Sequence, residues 1–285
     1  MIHQKGRLQT GLRITQGEQG ADRPVIISTA NQKVKRILKL QKKAKARHEE
    51  HVFLVEGIRL TREAPKERLL ELYISETFLQ KYPGLEDRLL RRAEVVSDEV
   101  FAHMSDTKTP QGILAVIRRE DARLESLFEK RDGTEPFLIV LDHLQDPGNL
   151  GTILRTAEGA GATGVILTKD CADLYQPKTI RSTMGSIYRM SAVIVEDLKA
   201  TLGKMKECGI HTYAAHLDDS RFYDEEDYTK ATAFLIGNEG NGLPQEICAE
   251  AEHRIKIPMH GQVESLNAAM AAGILMYEVC RQRRR

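Results

Sequence analysis

The chain has 285 residues, enough for two domains of ordinary size, and its 41% hydrophobic and 29% charged residues fit a soluble globular protein. No apolar run approaches the ~20 residues of a membrane span, and the N-terminus carries no apolar signal segment, so the expected location is cytoplasmic. The net charge of +1 decides nothing about nucleic acid, while four widely separated cysteines and nine histidines without an H-E-x-x-H argue for reduced thiols and against a metal site.

Residues 1–28 show no period and mix Gly, Gln and charge, which predicts a flexible extension that ends near the apolar run Val25-Ile26-Ile27. Asn31 is a helix cap, and after it Val34, Ile37, Leu38 and Leu40 fall at helical spacing. The basic residues of this stretch (Lys33, Lys35, Arg36, Lys39, Lys42, Lys43, Lys45, Arg47) are uninterrupted by acid and lie largely on the outer face. They read either as a solvated face or as a phosphate-contacting one. The tail Arg281-Gln282-Arg283-Arg284-Arg285 carries the same two readings.

Strands are expected at 52–55, 70–74, 93–96 and 113–117, with helices at 58–64, 85–92 and 98–104 and a loop at 105–112. This is a compact α/β unit of about 90 residues. Residues 118–134 are densely charged, end in Asp132-Gly133-Thr134, and read as a partly helical linker. Beyond it, strands at 137–141, 165–167, 190–195, 211–215 and 233–236 alternate with helices at 149–160, 177–186 and 198–208. Such alternation implies a largely parallel sheet covered on both faces.

The last stretch, Ile255 to Glu278, combines a short strand stopped by Pro258, a loop through Met259, Gly261, Glu264, Ser265 and Leu266, and an alanine-rich helix after Asn267. Between Asn267 and Tyr277 that helix has no charged residue, which marks it as buried or packed against another subunit.

Two other stretches stand out. Leu141 to Ala157 (L-D-H-L-Q-D-P-G-N-L-G-T-I-L-R-T-A) runs from a strand end through a Pro-Gly turn into a helix, with Arg155 sharing a face with Thr152 and Gly159. It sits where ligands of open α/β sheets gather, and it also reads as a well-capped helix whose arginine pairs with a surface acid. Phe234 to Pro244 (F-L-I-G-N-E-G-N-G-L-P) runs a buried strand into a G-x-x-G-x-G loop that is neither a Walker nor a dinucleotide fingerprint. Its glycines allow close backbone approach to a ligand, or simply a turn. The literal G-x-G-x-x-G at Gly159–Gly164 follows a helix and precedes a strand, the reverse of the dinucleotide context, and reads as a helix C-cap.

Together, and in this order, the three stretches resemble the three motifs of the SpoU (TrmH-type) RNA ribose 2′-O-methyltransferases of the SPOUT superfamily. Residues 31–117 resemble the ribosomal-protein-like substrate-binding domain that precedes the catalytic domain in many members, and the likeness spans Thr29 to Arg281. The resemblance implies an α/β chain with a smaller N-terminal RNA-binding domain at 29–117, a linker at 118–134, and a SPOUT domain at 135–285 with a parallel sheet and a deep trefoil knot. It implies S-adenosylmethionine as cofactor, contacted by Gly237, Ile257, Met259 and Leu266. Asn149, Arg155, Glu239, Ser265 and Asn267 match the family's catalytic-site positions. RNA would be held in part by Lys33, Lys39, Lys42 and Lys43, and the long apolar helix would help form a homodimer, with no metal and no membrane involved. The implied reaction is 2′-O-methylation of a ribose, in 23S rRNA first; the alternatives are a tRNA ribose 2′-O-methyltransferase and a non-catalytic RNA-binding ribosome-assembly factor of the same fold. One departure is visible, A-A-M-A-A-G-I in the third motif, where members more often place a β-branched residue or serine before A-G-I.

Overall fold

The computed structural model describes residues 24–82, 92–217 and 220–284. The described residues divide into two compact units at Arg119/Glu120. The helix expected at 85–92 and most of the N-terminal extension lie outside the described residues.

In the first unit a five-stranded sheet has the order β1-β4-β3-β5-β2, formed by β1 (Val25–Ile26), β2 (Val52–Glu56), β3 (Leu69–Ser75), β4 (Ala93–Val96) and β5 (Ile113–Arg118). β5 runs antiparallel to both β2 and β3, while β3–β4 and β1–β4 are parallel. The apolar pair Val25–Ile26 is therefore an edge strand against Val95–Val96, and the folded unit begins before residue 29. Helix α1 (Gln32–Lys42) starts where the Asn31 side chain accepts the Lys33 N–H at 2.9 Å. It presents Val34, Ile37 and Leu40 to a core with Val52, Leu54, Tyr73, Val96 and Phe101. Helices α3 (Ile58–Glu63), α4 (Glu76–Lys81) and α5 (Asp98–Met104) complete the unit among the described residues.

The basic run does not form one helix. Lys43 is extended (φ −121°, ψ 110°), and α2 (Ala44–Glu49) starts after it. Arg47 is only 4% exposed, and its guanidinium donates to the Leu40 and Gln41 carbonyls, which lack helical partners at the end of α1. It is a helix cap, unavailable to phosphate. Arg36 is likewise committed, to Glu50 and Glu71.

The second unit is built on a seven-stranded, all-parallel sheet in the order β10-β12-β9-β11-β6-β7-β8. Its strands are β6 (Phe137–Leu141), β7 (Gly164–Thr168), β8 (Ala192–Val195), β9 (His211–Ala215), β10 (Arg221–Phe222), β11 (Thr232–Ile236) and β12 (His253–Lys256). β6, β7 and β11 are buried at every residue, as strands covered on both faces must be. Helices α6 (Pro147–Gly159), α7 (Pro177–Thr183), α8 (Leu198–Glu207), α9 (Gln245–Glu250) and α10 (Ala268–Arg283) cover it. The stretch read as a linker belongs in part to this unit. Leu127, in a 3₁₀ turn at Glu125–Leu127, is fully buried in its core, and Leu124 and Phe128 pack beside it. Three apolar side chains at helical spacing outweigh the dense charge around them.

α10 is neither wholly buried nor wholly exposed. Ala268, Ala269, Ala272, Leu275, Met276 and Val279 face inward, whereas Met270 (62% exposed) and Tyr277 (55%) face out. The arginine tail is also partly structural. Arg283 donates from Nε to the Tyr228 carbonyl at 2.9 Å and from Nη1 to the Glu135 carbonyl at 2.9 Å, and Arg281 pairs with the buried Glu278.

α6 and α7 touch at Gly151, where a Cβ would fall 2.4 Å from Ser182 Cβ and 2.7 Å from the Thr179 carbonyl. Gly151→Ala is therefore expected to destabilise the protein by about 1–3 kcal/mol. Gly203→Ala, on α8 with nothing within 4 Å, should be neutral or stabilising by up to ~1 kcal/mol. Denaturant midpoints of the two variants measure both.

Candidate active site

The strand order places β6 next to β11, and from this pair the sheet is wound in opposite directions, to β7 and β8 on one side and to β9 and β12 on the other. Connections leaving the carboxyl ends of such a pair diverge and open a crevice. The first and second motifs are those two connections.

The tip of β6 is tied down on three sides. The Asp142 N–H donates to the Ile236 carbonyl at 2.9 Å, extending the β6–β11 ladder. His143 adopts φ 54°, a left-handed conformation that costs a non-glycine residue ~1–2 kcal/mol. It is held there by its N–H to Thr168 Oγ1 (3.1 Å), by Nδ1 against the buried Asp142 carboxylate (2.8 Å), and by its carbonyl, which accepts the Asn238 amide (2.9 Å). The chain then enters α6 through Asp146, whose carboxylate accepts the Asn149 N–H at 2.8 Å. That backbone bond, with Lys178 alongside, holds the Asp146 carboxyl below its ordinary range.

The loop after β11 folds back on itself. Asn238 and Gly242 exchange backbone hydrogen bonds of 3.0 and 2.9 Å, and Asn238 Oδ1 accepts the N–H groups of Gly240 (2.9 Å) and Asn241 (3.1 Å). The turn closes so tightly that a Cβ at Gly237 would lie 2.2–2.3 Å from the Gly242 and Leu243 backbone. Glycine is required at 237 by contact and at 242 by φ 66°.

Glu239 points from this turn into the first motif. Its Oε1 accepts the Asp146 N–H (2.9 Å) and Asn149 Nδ2 (3.0 Å), and its Oε2 accepts the Gln145 N–H (2.9 Å). Burial raises the carboxyl's pKa, but the donors at Gln145, Asn149 and Asp146 prevail and leave it below the ordinary 4.5. The network continues: Asn267 Nδ2 donates to Asn149 Oδ1 at 3.0 Å, and Asn267 Oδ1 caps α10 by accepting the Ala269 and Met270 N–H groups. Glu239, Asn149 and Asn267, one from each motif, thus form one hydrogen-bonded chain.

Beside it lies a cleft of about 400 Å³ whose walls include Gly237, Ile257, Met259, Leu266 and Ser265. Leu217, Leu243 and Leu275 add apolar surface, and the backbone of 237–242 borders it. The sequence reading missed the wall from Ala215 to Leu217; its signal is the carboxyl end of β9, the strand beside β11. Arg155 is not part of this lining. It is exposed on α6, ~9 Å of helix rise beyond Asn149, with no ion-pair partner among the described residues. Of the four lysines read as phosphate contacts, Lys39, Lys42 and Lys43 are exposed, and Lys33 pairs with Glu94.

A family model described as the SpoU rRNA Methylase family matches residues 136–277, and one described as an MRM3-like substrate binding domain matches residues 31–115. The chain is 34% identical over 255 residues to the 23S rRNA (guanosine(2553)-2′-O)-methyltransferase RlmP of Bacillus subtilis (strain 168), an alignment that covers 89% of this chain and 98% of that protein. Among solved structures, the AdoMet-bound rRNA methyltransferase from Sinorhizobium meliloti superposes with a TM-score of 0.79 at 30% identity, covering 90% of this chain and 97% of that one. The SpoU methyltransferase AviRb from Streptomyces viridochromogenes, in complex with the cofactor AdoMet, gives 0.76 at 26% identity, covering 89% and 99%.

The Glu239 clamp has a pH signature. Because its folded-state pKa is depressed, its contribution is complete above the ordinary value of 4.5 and is lost as pH falls through the lower folded value. Amide exchange at Gln145 and Asp146 should therefore be protected at neutral pH and lose that protection in the acid range. In Glu239→Gln, protection at these two amides should fall at neutral pH, by about tenfold for a lost charge-assisted bond, while the β6 and β11 amides stay protected.

Proposed function

The chain belongs to the SpoU rRNA methylase family, and from that premise we propose that it transfers a methyl group from S-adenosylmethionine to a ribose 2′-hydroxyl of RNA, with 23S rRNA as the substrate. The observation that carries the reading is the Glu239–Asn149–Asn267 chain set against the cleft at Gly237 and Leu266.

The cleft suits the cofactor. It is large enough for a nucleoside, its walls at Ile257, Met259 and Leu266 offer apolar surface, and the glycine turn lets backbone polar groups border it. When bound, S-adenosylmethionine supplies an electrophilic sulfonium methyl, and the protein's part is alignment and charge. Glu239 is a positioning residue: its oxygens are committed to Gln145, Asp146 and Asn149, and its lowered pKa makes it a poor proton acceptor. Asn149 and Asn267 fix the entry of α6 and the start of α10 on either side of the reacting hydroxyl, and Ser265 sits on the cleft wall.

Arg155, exposed on α6 and outside the cofactor cleft, is the cation assigned to the RNA. A guanidinium stays protonated near neutral pH, so it orients the RNA phosphate and stabilises the charge that develops on the ribose oxygen. The transfer itself uses no metal.

Residues 29–117 select the RNA, with Lys39, Lys42 and Lys43 contacting phosphate without reading bases. Residues 135–285 carry the catalytic machinery, in the knotted topology of the family. The outward apolar stripe of Met270, Ile274 and Tyr277 on α10, which no charged residue interrupts, is the homodimer surface. The enzyme works in the cytoplasm.

The test is incorporation of tritium from labelled S-adenosylmethionine into rRNA and tRNA pools from cells lacking the gene. Label is expected in 23S rRNA. Label in tRNA would move the substrate, and no label in either pool, with cofactor binding intact, would refute the enzyme reading in favour of a non-catalytic factor. Arg155→Ala should lower turnover by roughly 10²-fold or more with cofactor affinity unchanged; Arg155→Lys should retain much of the activity if charge alone matters. Reversing Lys39, Lys42 and Lys43 to Glu should weaken RNA binding by about tenfold or more at moderate salt and leave cofactor affinity alone. Unchanged RNA affinity would remove those lysines from the interface.

A further inference from the structure

At the other end of the C-terminal sheet the fold assembles a group of side chains that the methyl transfer does not use. β9 begins at His211 and β12 at His253, and the two strands are parallel neighbours. Both histidines therefore lie at the amino ends of their strands, opposite the carboxyl ends that border the cleft. His211 and Tyr213 are two residues apart and so share a face of the sheet, and His253 is the register partner of Tyr213. The His211 and His253 rings are consequently brought together on one face, 6.4 Å apart. Glu252 completes the group, with its Oε2 2.9 Å from His211 Nδ1. One ligand atom from each of the three residues lies within 4.8 Å of the others.

We propose that His211, Glu252 and His253 form a binding site for a divalent transition-metal ion such as zinc. Two imidazoles and a carboxylate are a donor set that such ions favour. Bonds of ~2.0–2.2 Å require donor atoms roughly 3.3 Å apart in a tetrahedral site, so the rings need only small side-chain rotations to close. Parts of the frame are already set. The Glu252 N–H donates to Thr212 Oγ1 at 3.0 Å, and the His253 ring stacks on Tyr213 at 4.8 Å and 17°. The first fixes the backbone at Glu252 and the second the plane of the His253 ring.

Glu252 supplies the carboxylate of the group, 2.9 Å from His211 Nδ1. Lys130 and Lys230 line a neighbouring cleft with His211, and Lys130 is paired with Glu135. Arg254 follows His253 and by strand alternation falls on the other face. With one carboxylate and two neutral imidazoles, the bound ion leaves a net positive charge and one or more positions for water. The site would clip β12 to β9. β12 leads directly into the loop that lines the cleft, so the ion's role is to secure that strand, remote from the chemistry.

The experiment uses untagged full-length protein freed of metal by chelator and dialysis, titrated with zinc by calorimetry and with cobalt(II) by visible absorption. Saturable binding of one ion per chain is expected, with a cobalt spectrum of nitrogen and oxygen ligation and a rise in melting temperature on zinc addition. Glu252→Gln, at an exposed position where folding is safe, should weaken zinc at least about tenfold, and His253→Ala should abolish the cobalt spectrum. Cys208→Ser, which removes the exposed thiol of the neighbouring cleft, should leave both unchanged. The absence of saturable binding, or equal affinity in wild type, Glu252→Gln and His253→Ala, would overturn the site and leave His211–Glu252 as an ordinary surface ion pair.

Discussion

One carboxylate holds the candidate active site together. Glu239 leaves a glycine turn at the end of β11 and takes three donors from the loop and helix start that follow β6. Without it, two backbone N–H groups and the Asn149 amide, all on the β6 side of the crevice, would lose their acceptor. Because Asn149 passes the connection on to Asn267, the same carboxylate also sets where α10 begins and hence how the cleft wall at Ser265 and Leu266 is presented. Three segments far apart in the chain become one site through a single acceptor.

The clamp needs a particular backbone on both sides. Gly237 and Gly242 let the second motif close tightly enough to aim Glu239. On the other side His143 accepts a left-handed conformation because Thr168, Asp142 and Asn238 hold its N–H, ring and carbonyl. Local strain at the tip of β6 is offset by bonds to β7 and to the glycine loop, a common arrangement where backbone must be placed for chemistry. Gly151 plays a packing role, bringing α7 against α6.

Basic residues divide into two populations that look alike in the sequence. Arg47, Arg36 and Arg283 are consumed by the fold, as a cap for α1, a pair of carboxylate contacts and a tie between the last helix and four backbone carbonyls. Lys39, Lys42, Lys43 and Arg155 are exposed. Arginine's fixed fork suits several carbonyls at once, whereas a lysine's point charge remains solvated at lower cost.

Local order decided what could be read from the residues alone. Continuous apolar runs marked the strands β6, β7 and β11, a side-chain cap marked Asn31, and the context of Gly159–Gly164 identified a helix end, where Gly161 has φ 78°. The three motif stretches and their order were likewise visible, as was the lack of charge between Asn267 and Tyr277. Partnership across the fold was not. That Glu239 accepts from residues 90 or more positions away, that Leu127 belongs to a core, that Arg47 and Arg283 are structural, and that His211 meets His253 all depend on strand order and register. Periodicity records which face a residue occupies along its own element; which other element meets that face is decided only when the sheet is assembled.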